Sequence, residues 1–362
     1  MLSELRCSVF EFFLTGMDNL THSLTGALAA KLIATHFPAE EPSENRVKFW
    51  LLVGSANLPD IDVALGLLGD PIFSISHHRG LTHSLVFAPV LALLPAMIFA
   101  KFGKLKNFKT LWFLSLLGIL LHIFFDLITP FGTQLFAPFS TARYNLDWMF
   151  IIDPFFTGML ALALLLAKIF KPRQRQFILG GAIFAVLYLG LEVINHRLAY
   201  NRVEVALRQK GIASTKISAM PQPLNIFRWK GLAQTERGVA QTFFSLFDDG
   251  RELRLTIHAN ADDAFVDKAR QAPETKWYLT FARHPWIRSE PKGNQHVVEF
   301  RDMQFSIDEE LLSVVGMKER PLPFDLHYSF SANGEETEIV FNGKSVRRKN
   351  LQTKSTDGEA GN

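Results

Sequence analysis

The stretch TLWFLSLLGILLHIFFDLIT, residues 110–129, decides how this chain is read. Twenty apolar-dominated residues make a helix about 30 Å long, the thickness of a bilayer's hydrocarbon core. With no water to satisfy its backbone there, the segment must be helical. Its ionisable side chains are His122 and Asp126, four residues apart and therefore on one helix face. Ionisable groups in such a segment are costly and are kept for function or in pairs. Both side chains can therefore reach one ion, or they form a hydrogen-bonded pair that steadies helix packing.

Working outward, further charge-poor stretches cover 48–69, 83–100, 151–169 and 177–194, and Thr21–Phe37 reads as a small-residue-rich apolar helix capped by Asp18 or Thr21. Together with 110–129 they predict about six transmembrane helices. The chain's 48% hydrophobic content and 33 Phe among 362 residues are concentrated before about residue 195. Beyond Tyr200 charged residues become frequent and apolar ones alternate, which marks a water-soluble unit. The predicted fold class is thus an α-helical integral membrane domain, residues 17–196, followed by a soluble β-rich (α+β) domain, 197–344. In the latter, Thr242–Ala259 reads as a hairpin around Asp249-Gly250, Lys276–Arg283 and His296–Ile307 as strands, and Phe324–Phe341 as two strands turning at Asn333-Gly334. A helix is expected near Asp262–Gln271. Residues 345–362 are polar and expected to be disordered.

Residues 1–16, MLSELRCSVFEFFLTG, have acidic residues on both sides of Arg6 and no small-residue cleavage signature, so they make a poor signal peptide. Met17 reads as a better start, which makes 1–16 an expected extension; the rival reading is a short interfacial amphipathic segment. Cys7 is the single cysteine, which excludes an intramolecular disulfide and a cysteine-based metal site. The net charge of +3 contains no block dense enough for nucleic-acid binding, so none is expected. The expected partners are membrane lipids.

Basic loops set orientation. Lys101, Lys104, Lys106 and Lys109 lie between segments three and four, and Lys168, Lys171, Arg173 and Arg175 between five and six. Placing both loops in the cytoplasm turns loops 70–82 and 130–150, and the soluble domain, outward.

That topology gathers four polar elements at the outer face. The first is Ser76-His77-His78-Arg79-Gly80-Leu81-Thr82-His83-Ser84. Three imidazoles in seven residues suit a borderline divalent cation such as zinc. Gly80 permits a tight turn that brings His77 or His78 toward His83, and Arg79 suits an anionic substrate oxygen. The second is His122 with Asp126. The third is Asn57-Leu58-Pro59-Asp60-Ile61-Asp62, whose two carboxylates are hard oxygen ligands or else helix-capping groups. The fourth is His22, in the first turn of segment one. Asp147 and Asp153 share that face and could each supply a ligand, a general base or an interfacial residue. His36, His258, His284, His296 and His327 lack partners at ligand spacing and read as surface or packed side chains.

Met17-Asp18-Asn19-Leu20-Thr21-His22 with Gly26, Leu58-Pro59-Asp60-Ile61-Asp62, the His77–Ser84 run, and His122 to Asp126 followed by Thr129-Pro130-Phe131-Gly132 together resemble the family of bacterial membrane-bound metal-dependent hydrolases, also described as LexA-binding, inner-membrane-associated hydrolases. The resemblance covers residues 17–195. It implies a divalent-metal site and a location in the bacterial inner membrane, and it carries the hydrolase label.

The expected ligands are His22, Asp60, His78, His83, His122 and Asp126, with His77 or Asp62 in addition. Asp62, Arg79 and Asp147 are the expected catalytic residues. The expected ion is zinc, with manganese or another divalent ion as alternatives and the number of ions open. The expected activity is attack of an activated water on an ester or phosphoester, with an amphiphilic or phosphorylated substrate at the interface. The rival functions are a non-enzymatic metal-sensing or regulatory membrane protein and, third, a transporter, which would need ligands near mid-membrane.

Overall fold

The computed structural model describes residues 2–38, 41–66, 75, 77–103, 105, 107–248, 252–314 and 322–346, with side chains described from residue 19 onward except at 64–66 and 312–314. The first half is helical. Helix α1 (Leu2–His36) is followed by α2 (Pro42–Ser55), a 3-10 turn at Leu58–Asp60, α3 (Ile61–Gly66), a 3-10 turn at Leu81–His83, α4 (Ala88–Leu91) and α5 (Leu93–Phe102). Then come α6 (Phe108–Leu127), α7 (Pro154–Ile169) and the long α8 (Gln174–Gln209). Among the described residues, two helical stretches are long and apolar enough to cross a membrane on their own, Phe108–Leu127 and Lys171–Gln209.

Local sequence explains where the helices break. Segment two divides because Pro59 cannot donate to a preceding turn, and Asn57 Nδ2 turns back to the Val53 carbonyl at 2.8 Å. Segment three is likewise divided, into α4 and α5, with Pro89 in the first turn of one and Pro95 in the first turn of the other. Helix α1 runs through Asp18 and Thr21 without a cap. Thr21 Oγ1 instead meets Thr157 Oγ1 of α7 at 2.7 Å. Helix α8 is apolar and exposed at Val186 and Leu187, yet it continues well past Tyr200, where the composition turns polar.

The second half is β-rich. Strands β1 (Lys216–Gln222), β2 (Asn225–Thr235), β3 (Gly238–Ser245) and β4 (Thr256–Ala259) form one antiparallel sheet in chain order. Helices α9 (Ala264–Gln271) and α10 (Pro273–Phe281) lead to β5 (Pro285–Lys292) and β6 (Gln295–Asp302). After α11 (Glu309–Val314), strands β7 (Leu326–Ser331), β8 (Glu336–Phe341) and β9 (Lys344–Ser345) complete a five-stranded antiparallel sheet.

Strand β3 pairs with β4, but through Gly238–Gln241 on Thr256–Ala259, ahead of the Thr242 start expected for the hairpin; the Asp249-Gly250 turn lies outside the described residues. The β7–β8 turn holds Gly334 at φ +77°, a left-handed conformation that glycine adopts without strain. Lys276–Arg283, expected as a strand, is largely helical: Pro273 starts α10, and Thr275, Tyr278 and Phe281 are buried at a spacing of three. Strands β1, β2 and β5 were not anticipated. Of the expected tail, 347–362 lies outside the described residues.

Apolar packing ties the halves together. Ala199, Val203, Ala206 and Leu207 of α8 form a core with Trp229, Ala233, Ala240 and Phe244 of the first sheet. Helix and sheet meet so closely that a Cβ at Gly231 would lie 2.4 Å from Val203 Cγ2. The five-stranded sheet, with α10, forms a second core that takes in Ile75 and Phe131 from the helical half.

Candidate metal centre

Two glycines place the centre. A Cβ on Gly26 of α1 would lie 2.9 Å from the Leu52 carbonyl oxygen, and one on Gly118 of α6 would lie 2.7 Å from Ser55 Cβ. The last turn of α2 is therefore clasped between α1 and α6 at van der Waals distance. A helix end leaves carbonyls without intrahelical donors. Here the Ala56 carbonyl, just past that end, accepts from His122 Nδ1 at 2.7 Å.

That contact fixes the chemistry of His122. A carbonyl only accepts, so Nδ1 carries the proton and the neutral ring presents a bare Nε2 lone pair. His83 Nδ1 lies 3.0 Å from Thr82 Oγ1, whose hydroxyl donates to Asp62 Oδ2, and 3.3 Å from that carboxylate oxygen. The two Nε2 atoms face each other at 3.0 Å, both rings fully buried. Asp126 Oδ2 is 3.0 Å from His83 Nε2 and 3.4 Å from His122 Nε2; Asp60 Oδ1 is 3.4 and 3.5 Å from the same atoms. One ligand atom from each of Asp60, His83, His122 and Asp126 lies within 4.8 Å of all the others.

These donors fit a divalent cation. Ligands about 2.0–2.1 Å from a tetrahedral zinc sit roughly 3.3 Å from one another, and the five separations above scatter about that value. The inward-facing atoms, two imidazole nitrogens and two carboxylate oxygens, are all of types that coordinate a cation once the rings are deprotonated. Asp60, Asp62 and Asp126 bring three negative charges, of which Arg79 offsets one through Nη2 on Asp126 Oδ1 at 3.0 Å. A divalent ion offsets the other two.

The remaining predicted residues divide into neighbours of this cluster and residues engaged elsewhere. The His22 ring stacks on His122 at 3.8 Å, with Nε2 3.4 Å from Asp126 Oδ1. Asp62 accepts from the Arg79 amide at 3.0 Å and Thr82 Oγ1 at 3.1 Å, and lies 3.1 Å from His78 Nδ1, so it ties the histidine-rich turn together. That turn needs Gly80, where a Cβ would lie 2.6 Å from the His77 carbonyl oxygen. His78 thus approaches His83 through Asp62, whereas His77 is exposed beside Trp277 of α10. Arg79 was expected to reach toward substrate. Its guanidinium is instead buried, donating to Thr129 Oγ1 at 2.9 Å and pairing with Asp126.

Asp147 does not join the cluster. It is clamped by Arg283 of the β-rich half, Nη1 to Oδ1 at 2.8 Å and Nη2 to Oδ2 at 2.9 Å. Asp153 caps α7 by accepting from the Phe155 and Phe156 amides, and receives the Tyr188 hydroxyl at 2.5 Å. Beside the Arg283 clamp, burial and the neighbouring cations Arg283, Lys216 and Lys230 push His284 well below the usual imidazole range. Sequence reasoning missed three contributors: Thr129, the Ala56 carbonyl and Arg283. Only Thr129 carried a signal, as part of the Thr129-Pro130-Phe131-Gly132 run.

Fold and site together define a membrane-protein class: a helical half with long apolar helices, a β-rich half, and between helix ends a buried His/Asp cluster that could hold a metal ion. The chain belongs to the YdjM inner membrane protein family, whose model matches residues 17–199. Uncharacterized protein YfhP of Bacillus subtilis is 33% identical over 144 residues, covering 38% of this chain and 42% of the relative. Inner membrane protein YbcI of Escherichia coli is 33% identical over 103 residues, covering 28% of this chain and 59% of the relative. The alignments thus span about two fifths and three fifths of these relatives' own lengths. No solved structure matches.

Proposed function

We propose that this protein is a metal-dependent hydrolase of the inner membrane that cleaves an ester or phosphoester in an amphiphilic substrate. The observation that carries the reading is the pair of opposed imidazole Nε2 atoms of His83 and His122, 3.0 Å apart and flanked by Asp60 and Asp126. Those four residues are the ligands, with His22 as a further donor. A zinc-like ion bound there supplies Lewis acidity and lowers the pKa of water toward neutrality; manganese fits the same donors less selectively.

The chain's own residues do the rest. Asp62 and the Ala56 carbonyl hold the His83 and His122 rings in the tautomer that binds a cation. Arg79 holds Asp126 in place through opposite charge, which replaces the substrate-binding role expected from sequence. Asp60 is the most accessible of the four, and Leu20, Ile61, Leu81 and Leu85 around these loops are exposed. An apolar rim beside a polar centre suits a substrate with an acyl or isoprenoid tail.

In this reading the helical half crosses the membrane about six times as domain 17–196, the β-rich domain 197–344 lies outside the cytoplasm, and the centre opens at the outer interface. A reporter fused after Asn350 that is active only in the cytoplasm would overturn that orientation.

A regulatory, metal-sensing role is favoured by one observation: Ile75 and Phe131, next to the centre, share a core with the five-stranded sheet. The test is to purify the protein, measure bound metal, and assay ester and phosphoester lipids with wild type and with His83→Ala and Asp126→Asn. Metal-dependent turnover lost in both variants supports the hydrolase. Stoichiometric metal with no turnover on any substrate, and a metal-dependent change in protease sensitivity of the β-rich half, supports the sensor. Metal accumulation in loaded vesicles, lost in both variants, would instead indicate transport.

A further inference from the structure

The far end of the helical half holds a second polar feature that the metal centre does not use. A cavity of about 450 Å³ opens between α1, α2, α7 and α8, lined by Lys31, Arg46, Lys168 and Lys171. Its volume falls in the roughly 300–1,000 Å³ range of small-molecule sites. Among the described residues no carboxylate lines it, so four cations face one space without an anion in its wall. Its deeper wall is apolar, from Phe49, Leu164, Ala167 and Ile178. The Lys31 ammonium sits 5.5 Å from the centre of the Phe49 ring, held where charge and apolar wall meet. Asn45 also lines the cavity, and its Oδ1 is buried without a hydrogen-bond partner, an acceptor for a hydroxyl donor.

Helix geometry places this cavity away from the centre. Lys31 is nine residues beyond His22 on α1, about 14 Å along the axis, and Lys168 is eleven beyond Thr157 on α7, about 16 Å. The two sites therefore lie in opposite halves of the helical region. Basic pockets between membrane helices recognise anionic headgroups while the apolar wall takes the acyl chain.

We propose that this cavity is a binding site for an anionic phospholipid, with the phosphate among Lys31, Arg46, Lys168 and Lys171 and the first acyl methylenes against Leu164 and Ile178. A hydroxylated headgroup reaches Asn45. The site is independent of the hydrolase reading and of which leaflet it faces.

Native mass spectrometry of the detergent-solubilised full chain tests it, with phosphatidylglycerol, phosphatidylcholine and inorganic phosphate as probes. Wild type is expected to retain phosphatidylglycerol at least tenfold more tightly than phosphatidylcholine. Lys31→Gln/Lys171→Gln and Arg46→Gln/Lys168→Gln should each lose that preference, while Lys101→Gln/Lys109→Gln, equally basic but not lining the cavity, keeps it. Leu164→Trp narrows the cavity without changing charge and should weaken phosphatidylglycerol binding. Phosphatidylglycerol held equally well by the cavity variants, or by Leu164→Trp, overturns the proposal. So does displacement of the lipid by equimolar inorganic phosphate, which would mark a small-anion site.

Discussion

Replacing Arg79 by glutamine, with and without a divalent ion, probes the charge balance of the centre directly. Arg79 Nη2 lies 3.0 Å from Asp126 Oδ1, and both side chains are nearly fully buried. At an effective dielectric constant of about 20, two unit charges at that distance interact by about 5.5 kcal/mol. Removing one member of such a pair typically costs about 3–5 kcal/mol, because the other is left buried and uncompensated. In chelator-stripped protein, Arg79→Gln leaves Asp126 buried without its guanidinium partner, and that full loss is expected. With a cation present the carboxylates keep a positive partner. The cost should then fall to about 1–2 kcal/mol, the scale of the hydrogen bonds to Thr129 and the Asp126 carbonyl.

The difference, about 2–3 kcal/mol, must reappear as metal affinity, because coupling between two events is reciprocal. The variant should bind its ion about 30- to 150-fold more tightly than wild type while being less stable without it. Chelator competition gives the affinity, and denaturant unfolding of stripped and loaded protein gives the stability. An unchanged or weakened affinity in Arg79→Gln would refute the assignment of Asp126 as a ligand balanced by Arg79.

Three further outcomes follow from separate parts of the molecule. Gly118→Val should push α6 off α2 by a clash with backbone as well as Ser55, costing at least the roughly 1–3 kcal/mol of overpacking and lowering bound metal; Gly54→Ala, with nothing within 4 Å, should leave both unchanged or slightly improved. Asp147→Asn and Arg283→Gln should each cost about 3–5 kcal/mol through the orphaned partner, yet leave metal stoichiometry intact, with the charge-removing double variant costing less than the sum in unfolding measurements. Burial lowers the His327 pKa, but Asp325 and Glu299 outweigh it and raise it to about 9. Its stabilising effect is therefore complete below the unfolded value of about 6.5 and fades as pH rises through about 9. Partial exposure limits that effect to about 1 kcal/mol, and His327→Gln should flatten the stability profile across that window.

What could be read from sequence was what repeats locally. His122 and Asp126 were recognisable as neighbours because four residues is one helical turn, and Asp60 stood out because a carboxylate after Pro59 interrupts an apolar run. Asp147 looked equally suitable, but the residue that claims it, Arg283, lies 136 positions away and no local pattern announces it. Arg79 shows the same limit: its charge was legible, its direction was not, since Thr129 and Asp126 reach it only after α6 has packed. The stretch from Lys276 reads as a strand because Trp277, Leu279 and Phe281 alternate; burial at Thr275, Tyr278 and Phe281 shows that packing selected the helical period. At Tyr200 composition changes because the surroundings change, and a helix can cross that boundary unbroken.

The centre sits where helices stop, and that location is itself a consequence of physics. The carbonyl that fixes His122 is available only because α2 ends at Ser55, and the turns carrying Asp60 and His83 are short 3-10 segments whose polar backbone needs cover at the edge of an apolar region. That cover comes partly from the β-rich half. Phe131 lies 5.3 Å from His78 and 5.0 Å from the Arg79 guanidinium on one side, and packs on Phe281, Phe305 and Phe324 on the other. One aromatic side chain thus touches both the group that balances Asp126 and the core of the five-stranded sheet. A shift of that sheet moves Phe131, and moving Phe131 changes the surroundings of Arg79. Phe131 is therefore the contact through which ion occupancy and the packing of the β-rich half would be linked, and a changed ion affinity in Phe131→Leu would reveal that coupling.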